Sequence, residues 1–298
     1  MISSADIVAT VERLPTLNLQ AIRLMGLLND ENVTFADIET IIRTDPALTA
    51  NILKAAGSAH FGLSRQVETV REAIALLGLR RVVDVVTLAA MANVIPDRLP
   101  GYDIGAQAFW RHCVAVAVIS ERIAGALSTG HAGLAFTAGL LHDLGKLVVG
   151  AFLAERWTES KTTFRGRLLT SVKSEQLILG VDHSDLGMLL AQSWRLPEVV
   201  ALVNRSHHDP FPNGNEAQDE DRTVAVVRTA DALSHAFGFS AGPLGPDSWP
   251  DPAVLEFLNL SQVEATHLAW GCMDAIDGLV DLQFQIVTPR RIAVGAGA

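Results

Sequence analysis

Cysteines and basic residues are scarce in this sequence, and each scarcity excludes a class of protein. Only two cysteines, Cys113 and Cys272, occur among 298 residues, without C-x-x-C spacing. This usage is typical of a reducing compartment, so we expect a cytoplasmic protein rather than a disulfide-linked secreted one. The 23 Lys and Arg residues against 33 Asp and Glu give a net charge of −10, and no basic cluster is visible. A nucleic-acid partner is not expected, because neutralising phosphates requires a concentrated basic face.

Export and membrane signals are also missing from the pattern of apolar residues. Asp6 and Glu12 interrupt the segment in which a signal peptide needs a continuous apolar stretch. The longest apolar run, residues 113–119, is bounded by His112 and Glu121. It is far shorter than the roughly 20 residues that cross a bilayer. We therefore predict that the protein is not exported and does not bind a membrane.

Apolar residues recur at helical spacing along nearly the whole chain, and no segment alternates as a strand would. Thr34 with Asp37, and Ser261 with Glu264, are spaced as helix caps, and the second pair predicts a final helix that ends near Leu282. Hydrophobic residues make up 49% of the chain, which is enough to fill a sizeable core. We predict an all-α protein in which an N-terminal helical lobe packs on a helical bundle.

Proline and glycine residues suggest where the chain divides. Residues 93–105 interrupt the helical rhythm with two prolines and two glycines, which indicates a boundary. Gly78 is predicted to separate two shorter helices. Because short helices are rarely stable alone, we expect the lobe to dock on the bundle. The predicted units are an N-terminal lobe at 1–100, a bundle at 105–240, a C-terminal helical extension at 250–283 and a loosely ordered tail at 284–298.

The sharpest chemical signal is the doublet His142-Asp143, which follows an apolar helix. Adjacent side chains on a helix diverge by about 100°, so a shared role as ligands requires a helix end or a bend. Gly139 and Gly145 flank the doublet and favour such a bend.

Three further polar residues, His112, His207 and Asp231, lie on apolar helix faces. Each alone is explained by a hydrogen bond in the core or at a helix end. Together with the doublet they would converge if their helices form a bundle. Buried carboxylates are costly unless a cation balances them. The pattern leaves two interpretations open, a metal site and a metal-free polar network.

The set formed by His112, His142-Asp143 and Asp231 resembles the ligand pattern of the HD superfamily. Its members bind divalent metal in an α-helical core and often hydrolyse phosphate esters. His183 and the pair His207-His208 resemble the additional ligands of two-metal HD phosphodiesterases, including the HD-GYP branch. The Gly-Tyr-Pro element of that branch is absent after His208, so the resemblance does not extend to a cyclic dinucleotide substrate.

This resemblance implies a site of nitrogen and oxygen ligands that suits one or two ions of Mn, Fe or Zn. Asp143 would bridge two ions, and Lys146 would neutralise phosphate charge, so these two are the expected catalytic residues. The expected metal ligands are His112, His142, Asp143, His183, His207, His208 and Asp231. Four histidines have no counterpart in the family's ligand pattern and are not expected to bind metal. They are His60, His131, His235 and His267.

A second resemblance rests on four segments, namely LPTL at 14–17, TDPALT at 44–49, AGSAHFG at 56–62 and AIALLG at 73–78. They resemble the HDOD family, the HD-related output domains of bacterial signalling, and the resemblance extends over about residues 10–240. It implies a regulatory protein that acts through signalling protein partners and retains a divalent-metal site. The alternative is a metal-dependent phosphohydrolase or phosphodiesterase. A nucleotide or phosphate ligand and a second copy of the chain are the other expected partners.

Overall fold

The computed structural model describes residues 3–29, 32–57, 67–128, 132–155, 169–211, 221–240 and 249–286. In these ranges the chain is almost entirely α-helical, as predicted, with one short 3-10 helix at Leu27–Asn29. The helices are α1 (Ser4–Arg13), α2 (Leu19–Gly26), α3 (Phe35–Arg43), α4 (Pro46–Ala56), α5 (Val70–Ala92), α6 (Ala106–Ala126), α7 (Ala132–Leu140), α8 (Leu144–Glu155), α9 (Val172–Leu179), α10 (His183–Ser193), α11 (Glu198–Ser206), α12 (Asp221–Ala236), α13 (Pro252–Phe257), α14 (Gln262–Trp270) and α15 (Met273–Ile286).

Side-chain caps explain why several helices begin where they do. Thr34 and Asp37 form a reciprocal capping box at the start of α3. Ser261 and Glu264 form another at the start of α14. Asp45 caps α4 immediately before the proline of its first turn. These interactions satisfy backbone N–H groups that have no partner within the helix, and the two capping boxes confirm the helix starts predicted at Thr34 and Ser261.

A kink at Gly78 divides α5 into the two helices predicted from the sequence. Gly78 has φ 79° and ψ 158°, a conformation that glycine adopts without the steric penalty of a side chain. The kinked helix α5 packs against α2, α3 and α4, and it also contacts α7. It therefore connects the N-terminal helices to the rest of the protein.

The bundle is organised around α6, whose residues 113–117 are fully buried. This helix packs against α7, α12, α14 and α15. A second set of contacts joins α8 to α10, and α10 to α11. These are the helices and helix ends that carry the predicted metal ligands.

The N-terminal helices dock on the bundle, as expected from their shortness. The contacts run from α1 to α8 and α10, and from α5 to α7, while α15 returns to contact α4 and α5. Apolar side chains from both parts belong to one continuous core. The boundaries assigned to the four units stay predictions.

The interruption at 93–105 contains a feature that the sequence did not predict. Arg98 and Leu99 pair antiparallel with Gly105 and Ile104 in a two-residue hairpin. Strands this short are invisible to a search for alternation, because two residues cannot show a period.

The C-terminal part differs in detail from the predicted single helix. It consists of α14 and α15, because α14 ends at Trp270 with Gly271 as its C-cap. α15 continues to Ile286, beyond the predicted end near Leu282. The remainder of the predicted tail, residues 287–298, lies outside the described residues.

Residues Ala132–Ala154, which include α7 and α8, are long and apolar enough to cross a membrane by composition. In the folded protein 89% of the most apolar window of this stretch is buried, because α7 packs on α6 and α8 packs on α10. The turn at residues 141–143 also interrupts it. These features are those of core helices in a folded domain.

Candidate metal centre

The doublet His142-Asp143 lies in the turn between α7 and α8, where a bend allows adjacent side chains to face one site. Asn204 of α11 holds this turn, because its side-chain amide donates to the carbonyl oxygen of Leu141 at 2.8 Å. Both residues of the doublet are about 1% exposed. The turn therefore presents an imidazole and a carboxylate to the interior of the bundle.

Gly145 allows α8 to lie directly against the start of α10. A Cβ atom at this position would collide with the carbonyl oxygen of His183 and would approach the backbone nitrogen of Gly187 to 2.7 Å. Both obstacles are backbone atoms, so no side-chain rotation relieves the collision. The glycine therefore sets the distance between Asp143 and His183.

The first cluster consists of His112, His142 and Asp231. The Nε2 atoms of the two histidines lie 3.3 and 3.8 Å from Oδ1 of Asp231. They also lie 3.5 and 3.4 Å from Oδ2 of Asp143. Ligand atoms from α6, from the turn before α8 and from α12, which are distant in sequence, thus lie close together.

The second cluster consists of Asp143, His183, His207 and His208. Oδ1 of Asp143 lies 3.4 Å from Nε2 of His183 and 3.7 Å from Nε2 of His207. His208 is the exposed member, with its ring centroid 4.0 Å from that of His207. The two carboxylate oxygens of Asp143 therefore face different clusters, which is the geometry that a bridging ligand requires.

Hydrogen bonds on the outer side of the imidazoles fix their tautomers. The Nδ1 atoms donate to backbone carbonyl oxygens, from His112 to Phe239 at 3.0 Å, from His142 to Gly139 at 2.8 Å and from His207 to Asn204 at 2.9 Å. Because a carbonyl oxygen only accepts, each Nδ1 carries a proton, and a ring in its neutral form presents the Nε2 lone pair to the site.

Several atoms that face the site are buried and have no hydrogen-bond partner among the described residues. They are Nε2 of His112, His183 and His207, and Oδ1 of Asp143 and Asp231. Lone pairs and carboxylate oxygens that face each other in the interior are unfavourable without a shared positive charge. A divalent cation in each cluster would supply it, so the buried His/Asp clusters fit metal ions.

Burial and local charge set the protonation of these groups. Burial lowers the pKa of His112 to about 4, so its ring is neutral. Burial favours a raised pKa for Asp143, but the Lys146 ammonium outweighs it and holds the pKa of that carboxyl well below its usual range. Burial also favours a raised pKa for Asp231, but the nearby imidazole of His235 helps to outweigh it and hold that pKa well below its usual range. Both carboxylates are charged and available to a cation.

Lys146 extends from the first turn of α8 toward the site. Its Nζ lies 2.6 Å from Oδ2 of Asp143 and 5.9 Å from the centre of the Tyr102 ring. The side chain is only 12% exposed, yet it lines a cavity that opens over the second cluster. Lys146 therefore places a positive charge where an anionic ligand would meet the metal site.

Glu175 and Tyr102 support the second cluster from outside, and the sequence analysis missed both. Glu175 accepts hydrogen bonds from Nδ1 of His183 and from the Tyr102 hydroxyl, each at 2.8 Å. Burial favours a raised pKa for Glu175, but the contacts with His183 lower it. A buried carboxylate behind a histidine ligand orients the ring and raises its basicity. No local spacing reveals Glu175, because its contact depends on the turn between α9 and α10.

His235 also approaches the site, although the sequence analysis left it out. Its Nε2 lies 3.4 Å from Oδ1 of Asp231, one helical turn earlier on α12. The i, i+4 spacing on an amphipathic helix was a signal that could have found it. Of the other histidines left out, His60 and His131 lie outside the described residues, and His267 is on α14.

Replacing Glu175 with glutamine should weaken metal binding at the second cluster by about 10–100-fold, the usual effect of losing such an outer partner. The neutral amide no longer holds the His183 ring by a charged hydrogen bond. Competition with a chelator of known affinity measures the change. Glu256→Gln, on an exposed position of α13, is the matched control. An unchanged metal affinity in a folded Glu175→Gln variant would contradict the proposed supporting role.

Comparison with known proteins identifies the family to which the chain belongs. A family model described as the HDOD domain matches residues 14–210, which is more than half of the chain. The chain belongs to the HDOD family. The match confirms the resemblance drawn from the four sequence segments. Asp231 and His235 lie beyond the matched residues, so the HDOD protein completes its first cluster with α12.

One curated relative of this HDOD protein is an uncharacterized protein from Treponema pallidum (strain Nichols), 26% identical over 209 residues. The match covers 69% of this chain and 40% of the relative, so the chain spans less than half the length of that protein.

Crystal structures of related proteins share the fold. An HDOD domain protein of unknown function from Geobacter sulfurreducens has a TM-score of 0.72 and 21% identity, over 95% of this chain and 98% of that one. A candidate phosphohydrolase from Shewanella amazonensis has a TM-score of 0.66 and 24% identity. The match covers 95% of this chain and 99% of that one. These likenesses confirm the all-α HDOD fold.

Proposed function

We propose that this HDOD protein is a metal-dependent hydrolase of phosphate esters with a two-ion centre. The observation that carries the proposal is the placement of Asp143, whose two oxygens face separate clusters of buried ligand atoms that lack partners. When bound, two ions of Mn, Fe or Zn would supply Lewis acidity and a nucleophile derived from water.

The protein's own residues would perform three tasks. Asp143 and Asp231 would hold the cations with their charged oxygens, while His112 and His207 would offer their Nε2 lone pairs. Lys146 lies at the cavity wall, where its ammonium would bind a non-bridging phosphate oxygen and reduce the charge repulsion that opposes attack. The buried setting strengthens each of these interactions.

Regulation through protein partners, the first expectation from the sequence, is a second candidate. It is supported by the packing of α1 against α8 and α10, which carry Lys146 and His183. A partner that moves α1 would therefore act on the helices that flank the second cluster. The two functions are compatible, because a regulated hydrolase needs both features.

The test is hydrolysis of bis(p-nitrophenyl) phosphate and of nucleotides by the full chain supplied with Mn, Fe(II) or Zn. We expect activity that a chelator removes. Lys146→Ala should keep its metal but lose about 100-fold or more in rate, as is typical when one charge-stabilising group is removed. Lys54→Ala, on an exposed position of α4, should be unaffected. Metal-loaded protein that hydrolyses none of these substrates would overturn the proposal.

A further inference from the structure

The cavity over the second cluster has a volume of about 1040 Å³, much more than a single phosphate group needs. Pockets for small molecules and cofactors occupy roughly 300–1,000 Å³. Its lining includes three residues of the metal site, Lys146, His183 and His207. The outer wall is defined as the lining residues 249–252 and Gln262, most of which are exposed to solvent. The cavity therefore has room for a group attached to the phosphate that reaches the metal site.

This outer wall comes from the part of the chain that follows the HDOD match. Half of the residues that line the cavity have numbers above 210. The shape and chemistry of the outer cavity are thus set by α12 and by the segment that leads into α13. Features that select a ligand are to be sought there rather than among the metal ligands.

Trp249 is the large aromatic residue of this wall. Its side chain is 55% exposed, although it lines the cavity. The chain after it is fixed, because Pro250 is buried, Asp251 caps α13 through the N–H of Ala253 at 2.9 Å, and Pro252 occupies the first turn. A partly exposed indole in a cavity wall, next to an anchored segment of backbone, can stack on a planar ring.

Of the two basic side chains near this wall, one is paired with a carboxylate and the other has no such partner among the described residues. Arg228 donates to the carbonyl oxygen of Asp209, and its Nη2 lies 3.7 Å from Oδ2 of Asp251, so its guanidinium is held at the wall. Lys173 is exposed at the same cavity and forms no ion pair with any described residue. Glu175 is occupied by its contacts with Tyr102 and His183. Positive charge is therefore available beyond the metal site.

We propose that Trp249 is a specificity-determining residue that selects phosphate esters carrying a planar aromatic base. The phosphate would lie between the metal site and Lys146, with the base stacked on the indole. Hydrolysis of the phosphate group at the metal site rests on the proposed function. In that reaction the oxygen of water bonds to phosphorus, the ester P–O bond breaks, and a proton from water ends on the released hydroxyl. Stacking of the base on Trp249 requires only that the ligand binds, and does not require hydrolysis.

The test compares two ligands that share a phosphorylated ribose, adenosine 5′-monophosphate with the base and ribose 5-phosphate without it. Isothermal titration calorimetry on the metal-loaded full chain measures both affinities. We expect the base to improve affinity by about 5–100-fold, the range of one stacking interaction. Trp249→Ala should abolish this difference. Trp270→Ala, which removes another exposed tryptophan, one that does not line the cavity, should preserve it.

The outcomes separate this proposal from the proposed function. Equal affinity for the two ligands, no binding of either, or a base preference that survives in Trp249→Ala would overturn the role of Trp249. A base preference that depends on Trp249 in a protein without hydrolytic activity would support that role and count against the hydrolase. Hydrolysis without any base preference would support the hydrolase and count against the role of Trp249.

Discussion

Asp143→Asn should remove bound metal from both clusters and abolish hydrolysis. Asparagine keeps the size of the side chain, but it is neutral and replaces one of the two oxygens by an NH₂ group, which cannot bind a cation. Because the two oxygens of Asp143 face the two clusters separately, one substitution affects both. Elemental analysis of the desalted protein measures the loss of metal, and the assay with bis(p-nitrophenyl) phosphate measures the loss of activity.

The same variant should lose the stabilisation that metal gives to the folded protein. A ligand at a hundredfold excess over its dissociation constant contributes about 2.7 kcal/mol. Unfolding with and without chelator should therefore differ in the wild type and should coincide in Asp143→Asn. Asp277→Asn, at an exposed position of α15, should behave as the wild type. Hydrolysis that survives unchanged in Asp143→Asn would refute the metal-dependent mechanism.

Gly145→Ala should destabilise the protein by about 3 kcal/mol, at the upper end of the range for overpacking. The added methyl group meets the backbone of His183 and Gly187, so α8 and α10 must separate. That movement should also displace His183 from Asp143 and weaken metal binding. Urea denaturation with chelator present isolates the packing effect from the loss of metal.

Gly125→Ala is a matched control for this substitution. Gly125 is also helical, and a Cβ there meets no atom within 4 Å. The substitution Gly125→Ala should stabilise the protein by about 0.5–1 kcal/mol, since alanine is the better helix former. A Gly145→Ala variant as stable as the wild type would show that α8 and α10 are not in close contact.

Helical periodicity and capping pairs were sufficient to predict the fold class and several helix starts. The pair Thr34 and Asp37 is an example, since its spacing alone determines a capping box. The hairpin at 98–105 was missed because its strands have two residues each. The break at Gly271 was missed because a single glycine within a helical pattern is often tolerated.

The centre of the site could be predicted because its ligands lie on apolar helix faces or next to glycines. His112, Asp143 and Asp231 were found in this way, and the structure brings them together. Glu175 could not be found, because its contact with His183 depends on a turn between helices. Trp249 carries no local pattern either, since its place in the cavity wall depends on how the segment before α13 packs near α12.

The most direct test of the account is the number of divalent ions bound per chain after saturation with Mn, Fe(II) or Zn and removal of the excess. The two clusters that share Asp143 predict two ions per chain, both released by a chelator. A folded protein that retains none of these metals, or that saturates at one ion per chain, would contradict the two-ion centre.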